Sequence, residues 1–258
     1  MDERINIINE NLKLTEYSDG LLFGTDAYLL SAFVPKKIKS TGVDLGSGSG
    51  VIPLLILSKN KSKKMFGVEV QEKYAKLSEK NAKLNHFDDR FVSINKNVVD
   101  LTQNDIGEKV DFVVTNPPYM KANSGKSNIS DEKNIARHEV LGNIDDFCRA
   151  ASRILKFGGN MYVIYRPDRL CDLMYSLKNN NLEPKEMLFI SQNTKSSPSL
   201  VIVNAKKGAN SGLEILPPVY IYKNNSTEYT KQYANIYKNC KIGEWLWLPQ
   251  KPIKKKTK

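Results

Sequence analysis

The chain has 258 residues, 40% of them hydrophobic and 26% charged, with 39 Lys and Arg against 28 Asp and Glu for a formal charge of +11. That length suits one substantial core, and no apolar run reaches the ~20 uncharged residues that a membrane-spanning helix requires. The basic balance suits a polyanionic partner, although Lys-rich and Asn-rich coding raises the charge without one.

Residues 1–4, Met1-Asp2-Glu3-Arg4, are unlike a secretory leader, so a cytoplasmic location is expected. Thr25 is predicted to cap a short helix that turns Leu29, Leu30, Phe33 and Val34 inward and stops before Pro35. Residues 42–50 read Gly-Val-Asp-Leu-Gly-Ser-Gly-Ser-Gly: Asp44 ends an apolar strand, and Gly46, Gly48 and Gly50 turn into an apolar helix over 51–58. Glycines between a strand's carboxyl end and a helix's amino end let backbone approach a ligand closely. The spacing is Gly-x-Gly-x-Gly, however, where a dinucleotide pyrophosphate wants Gly-x-Gly-x-x-Gly. The carboxylate of Asp44 before the loop suits a ligand carrying an ammonium and a sulfonium better than one carrying phosphates. A second strand over 65–70 holds Glu69, and an acid there commonly binds two ribose hydroxyls.

An amphipathic helix over 71–84 follows, with Tyr74, Leu77 and Leu84 at helical spacing. A third strand over 90–96 leads into Asn97-Val98-Val99-Asp100, and an apolar run over 110–114 ends in Asn116-Pro117-Pro118-Tyr119. Two prolines in succession stop a strand in a stiff turn. Residues 120–134 have no apolar periodicity and read as a loop carrying Lys121, Lys126 and Lys133, with Arg137 and His138 just beyond it. A helix over 144–155 is expected to stop at Gly158-Gly159, followed by a strand over 161–165, Arg166-Pro167 and a helix to about residue 180. Strands over 187–191 and 200–205 are expected to form an antiparallel pair. From residue 210 the alternation is lost: 217–222 reads as an extended strap, and 226–238 as a short helix with Tyr229, Tyr233 and Tyr237 packed on the domain. Residues 251–258 carry five lysines and read as an electrostatic arm. The cysteines, Cys148, Cys171 and Cys240, have no metal-ligand spacing and are expected to be free thiols, with no metal bound.

The order of acid, glycine turn, second acid and Asn-Pro-Pro-Tyr resembles class I S-adenosylmethionine methyltransferases. The segments Phe23 to Leu30, Ala136-Arg137-His138-Glu139 and Arg166-Pro167-Asp168-Arg169-Leu170 resemble, more narrowly, the tRNA1(Val) adenine-37 N6-methyltransferases. The match runs over about residues 5–222. It implies a Rossmann-like α/β fold: a mostly parallel seven-stranded sheet with one antiparallel strand and helices on both faces. It also implies a methyltransferase domain over 1–222 and, over 223–258, an extension with a short helix and basic tail.

The resemblance implies S-adenosylmethionine as cofactor, tRNA as partner and a monomer. Asp44, Gly46, Gly48, Glu69, Val70, Asn97, Val98 and Asn116 are then the cofactor residues, with Asn97 standing where relatives usually carry a carboxylate for the adenine amine. Asn116 and the carbonyl of Pro117 would accept both hydrogens of the target amine, favouring a pyramidal nitrogen, and Tyr119 would stack on an extruded base. Lys121 and Arg137 would contact RNA phosphates. The rival readings are a DNA adenine methyltransferase, a release-factor glutamine methyltransferase, and a non-catalytic RNA-binding protein of the same fold.

Overall fold

The computed structural model describes residues 3–9, 12–17, 24–118 and 142–242. In chain order the first elements are β1 (Glu3–Asn9), β2 (Leu12–Tyr17), α1 (Thr25–Phe33), β3 (Thr41–Leu45), α2 (Val51–Ser58), β4 (Lys64–Glu69), α3 (Glu72–Leu84), β5 (Phe91–Asn95), α4 (Gln103–Ile106) and β6 (Val110–Thr115). They continue with α5 (Ile144–Ile154), β7 (Leu155–Tyr165), α6 (Leu170–Asn179), β8 (Leu182–Ser191), β9 (Pro198–Lys207), β10 (Glu214–Tyr220) and α7 (Lys231–Asn239).

Eight strands form one sheet in the order β10-β8-β9-β7-β6-β3-β4-β5, and β1 pairs with β2 in a separate antiparallel hairpin. Only β9 is reversed, running antiparallel to both β7 and β8, while every other pairing in the large sheet is parallel. The seven expected strands and the single reversal are present, and β10 adds an eighth at the edge. Side chains alternate across the sheet with the strand period of two. Phe112, Val114, Tyr162 and Ile164 enter one core with α1, α2 and α7, whereas Val113, Met161 and Val163 enter the other with α5 and α6. Helices therefore cover both faces, and β3, buried at all five positions, lies inside the sheet between β6 and β4 as parallel strands do.

Several local expectations are corrected. The N-cap of α1 is Gly24, with no side-chain cap, and Thr25 is the first helical residue. Leu84 does not complete the apolar stripe of α3: it is 37% exposed, while Tyr74, Leu77 and Ala82 are buried. Gly158-Gly159 does not stop a helix. α5 ends at Ile154, the chain enters β7 at once, and the glycines serve a register shift against β6, with Gly158 at φ +76°. Residues 217–220 of the expected strap belong to β10, which pairs with β8. The tyrosine helix begins at Lys231 with Thr230 as its cap, so Tyr229 precedes it; Tyr233 is buried and Tyr237 packs on Tyr28 with ring centroids 4.7 Å apart.

The three cysteines are free, Cys148 and Cys240 being buried. Among the described residues no helix is long and apolar enough to cross a membrane.

Candidate functional site

The parallel strands β3, β4 and β6 end side by side, and their carboxyl ends form the floor of the site. Thr115 Oγ1 donates to Leu45 O at 2.8 Å, fixing the end of β6 to the end of β3. The glycine turn is pinned to β4, with the Gly46 and Ser47 amides donating to Val68 O at 2.8 and 3.0 Å. Gly46, Gly48 and Gly50 all have positive φ, at +77°, +52° and +85°, a conformation in which an L side chain is strained.

Glu69, 6% exposed, accepts the Gly48 amide on Oε2 at 3.0 Å and the Gln71 amide on Oε1 at 2.9 Å. One carboxylate thereby holds both the glycine turn and the start of α3. Asn81 on α3 completes the clamp: its Nδ2 donates to Ser49 O at 2.9 Å and to Thr15 O at 3.0 Å, and its Oδ1 accepts the Thr15 amide.

Above this floor lies a cavity of about 190 Å³, bounded by Gly46, Gly48, Ser49, Val68 to Gln71, Tyr74, Asn97, Val98, Asn116, Pro118 and Phe147. The structure thus brings together Gly46, Gly48, Glu69, Val70, Asn97, Val98 and Asn116 of the sequence-derived set. Asp44 does not line the cavity. It is fully buried beneath the turn, and both its carboxylate oxygens lack a hydrogen-bond partner among the described residues, as does Ser47 Oγ. Burial, and after it the nearby Glu69 charge, push the Asp44 carboxyl well above the ordinary carboxylate range. Pro117 is buried between Asn116 and Pro118 and is absent from the lining. Tyr119, Lys121, Lys126, Lys133, Arg137, His138 and the basic arm over 251–258 lie outside the described residues.

Asn97 carries a second duty: its Oδ1 accepts the Val99 amide at 3.1 Å, capping the 3-10 turn Val98–Asp100. Sequence reasoning missed Ser49, Gln71, Tyr74, Pro118 and Phe147 in the lining, and Asp26 beside it. Asn116 Nδ2 donates to Asp26 Oδ2 at 2.8 Å.

S-adenosylmethionine presents two ribose hydroxyls, an ammonium and a sulfonium to whatever site holds it. Among the described residues no Lys, Arg or His lines the cavity, which offers a carboxylate and side-chain amides instead. Such a lining suits hydroxyls, an ammonium and a sulfonium, and opposes a pyrophosphate. A Cβ built on Gly48 would meet nothing within 4 Å, so ligand atoms have room against the bare backbone. The residues fit the group. A wider cleft of about 480 Å³ near Lys37, Ser40 and Phe157 has no comparable convergence, its Asp111 being paired with Lys156 at 2.7 Å.

The model of the methyltransferase small domain matches residues 18–172. A tRNA1(Val) (adenine(37)-N6)-methyltransferase from Porphyromonas gingivalis is 28% identical over 156 residues, 58% of this chain and 60% of the relative. The chain thus spans about three fifths of that relative's length. Its namesake from Dyadobacter fermentans is 22% identical over 83% of this chain and 88% of its own. A release factor glutamine methyltransferase from Aquifex aeolicus is 33% identical over a shorter stretch, 35% of this chain and 31% of its own. Among solved structures, a predicted O-methyltransferase from Agrobacterium tumefaciens superposes with TM-score 0.68 at 19% identity, covering 84% of this chain and 98% of its own, a likeness of fold.

Proposed function

The chain belongs to the methyltransferase small domain family, and from that premise we propose that it methylates the N6 amine of an adenine in tRNA, at position 37 of a valine tRNA, in the cytoplasm. Its cofactor is S-adenosylmethionine. That group supplies a methyl already activated on a sulfonium, with a neutral thioether as leaving group.

One observation carries the reading: Asn116, just past the end of β6 and followed by two prolines, stands in the same cavity lining as Glu69 and the glycine turn. Asn116 Oδ1 and the Pro117 carbonyl accept the two hydrogens of the target amine and orient its lone pair. Glu69 holds the ribose hydroxyls while keeping the Gly48 and Gln71 amides in place. Asn97 and Val98 flank the adenine of the cofactor. Oriented reactants gain roughly 7–11 kcal/mol, enough for positioning to supply most of the acceleration. An asparagine cannot take a proton near neutral pH, so the excess proton of the cationic product passes to water. Tyr119 stacks on the extruded base, and Lys121 and Arg137 hold its flanking phosphates.

The names of the two longer-matching relatives support an adenine in tRNA over a glutamine side chain. The deciding experiment offers labelled cofactor to unmodified tRNA, DNA and release factor, with mass spectrometry of the digested products. N6-methyladenosine in tRNA is the expected product. Label confined to DNA or to a glutamine would overturn the substrate, and no transfer to any of them would overturn the activity.

A further inference from the structure

Asparagine has two faces of nearly equal shape and opposite polarity: its oxygen accepts and its NH2 donates. A catalytic role for Asn116 needs the oxygen toward the target amine, because the NH2 would set donor against donor. Something must decide which face turns where.

The structure supplies a partner of one polarity. Asp26, in the first turn of α1, accepts Asn116 Nδ2 on Oδ2 at 2.8 Å and its neighbour's Ala27 amide on Oδ1 at 3.2 Å. A carboxylate offers acceptors only, so it selects the NH2 face of Asn116. The room for this arrangement is reserved by Gly24, where a Cβ would stand 2.6 Å from Asp26 Oδ1. α1 is in turn held at its far end, where the buried Lys61 Nζ donates to Ser31 O, Ala32 O and Val34 O at 2.6, 3.2 and 2.8 Å. Asp26 itself is absent from the cavity lining, so its effect on chemistry passes through Asn116.

We propose that Asp26 is a positioning residue that locks the amide of Asn116 with Oδ1 toward the acceptor amine. The inference rests on the catalytic reading of Asn116 and holds whichever nitrogen acceptor the protein uses. It is sharpest in Asp26→Asn. That variant keeps one oxygen where two donors, the Ala27 amide and Asn116 Nδ2, must be met. The fixed Ala27 backbone claims the oxygen, the new NH2 faces Asn116, and the Asn116 amide turns over.

The test measures kcat, KM and the dissociation constant of S-adenosylhomocysteine for Asp26→Asn, Asn116→Ala and the double variant. Its substrate is whichever of tRNA, DNA or release factor the wild type labels. Loss of one charge-assisted hydrogen bond predicts that Asp26→Asn lowers kcat by about ten- to hundredfold with KM and inhibitor affinity little changed. On the Asn116→Ala background the same change has no further effect, the non-additivity of groups acting as a unit. Independently of turnover, the Asn116 side-chain NH2 resonance, assigned by its loss in Asn116→Ala, lies downfield in the wild type and moves upfield in Asp26→Asn. An unchanged kcat and resonance in Asp26→Asn overturns the inference. An equal fall in kcat on both backgrounds also overturns it, since that is the signature of general destabilisation. Full turnover in Asn116→Ala overturns the catalytic reading, and the role of Asp26 with it.

Discussion

Glu69 is the one carboxylate among the described residues that both lines the cavity and braces its glycine turn, so its replacement separates cofactor binding from chemistry. In Glu69→Gln a single oxygen must serve where two accept now, the Gly48 amide at 3.0 Å and the Gln71 amide at 2.9 Å. The other position becomes an NH2 set against a backbone N–H, leaving a donor unpaired at a residue that is 6% exposed. An unpaired buried donor costs about 1–3 kcal/mol, and each 1.4 kcal/mol is tenfold in affinity. The dissociation constant for S-adenosylmethionine or its homocysteine product is therefore expected to rise about ten- to hundredfold in Glu69→Gln, and further in Glu69→Ala. Turnover at saturating cofactor is expected to stay close to wild type, because in the proposed reading Glu69 holds the cofactor's ribose and not the acceptor amine. Calorimetric titration with S-adenosylhomocysteine and single-turnover rates measure the two effects. Affinity within about twofold of wild type for both variants, alongside a fall in melting temperature, would show Glu69 to be only a brace and refute its role in binding.

Asp44→Asn tests the buried carboxyl beneath the turn. A folded pKa held well above the ordinary range means that the folded protein keeps a proton the unfolded chain loses. The contribution is intact below the ordinary carboxylate range and is lost as pH rises through the folded value, so Asp44→Asn is expected to raise the melting temperature of the ligand-free protein at neutral pH while weakening cofactor affinity. Lys61 gives the opposite slope: burial lowers its ammonium to about 8 from 10.5, so between those values the unfolded chain binds more protons and stability rises with pH. Denaturant titrations should show wild type gaining on Lys61→Met by roughly 3 kcal/mol from pH 7.5 to 11, following 1.36 kcal/mol per unit; a constant difference would contradict the burial argument. Gly67→Ala would bring a Cβ to 2.7 Å from Ser47 Oγ and 2.8 Å from the Phe91 ring, so overpacking of about 1–3 kcal/mol is expected, with a measurable fall in cofactor affinity because Ser47 belongs to the glycine turn.

What the sequence revealed and what it concealed divide along a physical line. The glycine turn, Glu69 and the end of β6 before Asn116-Pro117-Pro118 were readable because each is a local demand: positive φ, an acid at a strand end, a chain that cannot continue a ladder. The partners that hold them are far away in the chain. Asp26 lies 90 residues from Asn116, and Asn81 lies 66 from Thr15 and 32 from Ser49. Nothing in the spacing of a lone Asp or Asn marks such a contact, which exists only once α1 and α3 pack on the sheet. β10 escaped notice for a related reason. Pro217-Pro218 argues against a strand, yet β10 is an edge strand, pairing only with β8, and its register shifts between Leu216 and Val219, just where the prolines sit. Gly158 misled in the other sense, since a helix stop and a strand bulge make the same demand for positive φ.

The unsatisfied polar atoms show where the fold accepts a cost. Of the five buried side-chain atoms without a partner among the described residues, three belong to Asp44 and Ser47, within and just beneath the glycine turn, the other two being Ser31 Oγ and Asn204 Oδ1. An unpaired buried polar group opposes folding, and clustering two such residues at one turn concentrates that opposition where a ligand approaches. The neighbouring bonds prevent the turn from relaxing to relieve it: Gly46 and Ser47 are tied to Val68, Gly48 to Glu69, and Ser49 to Asn81. A cationic ligand above the turn lowers the energy of ionised Asp44 through the field alone, without touching it. Cofactor binding should therefore release a proton from Asp44, and calorimetry in buffers of different ionisation enthalpy measures that release. It should be present in the wild type, absent in Asp44→Asn and retained in Asn116→Ala; equal proton release in the wild type and Asp44→Asn would assign the linkage to another group.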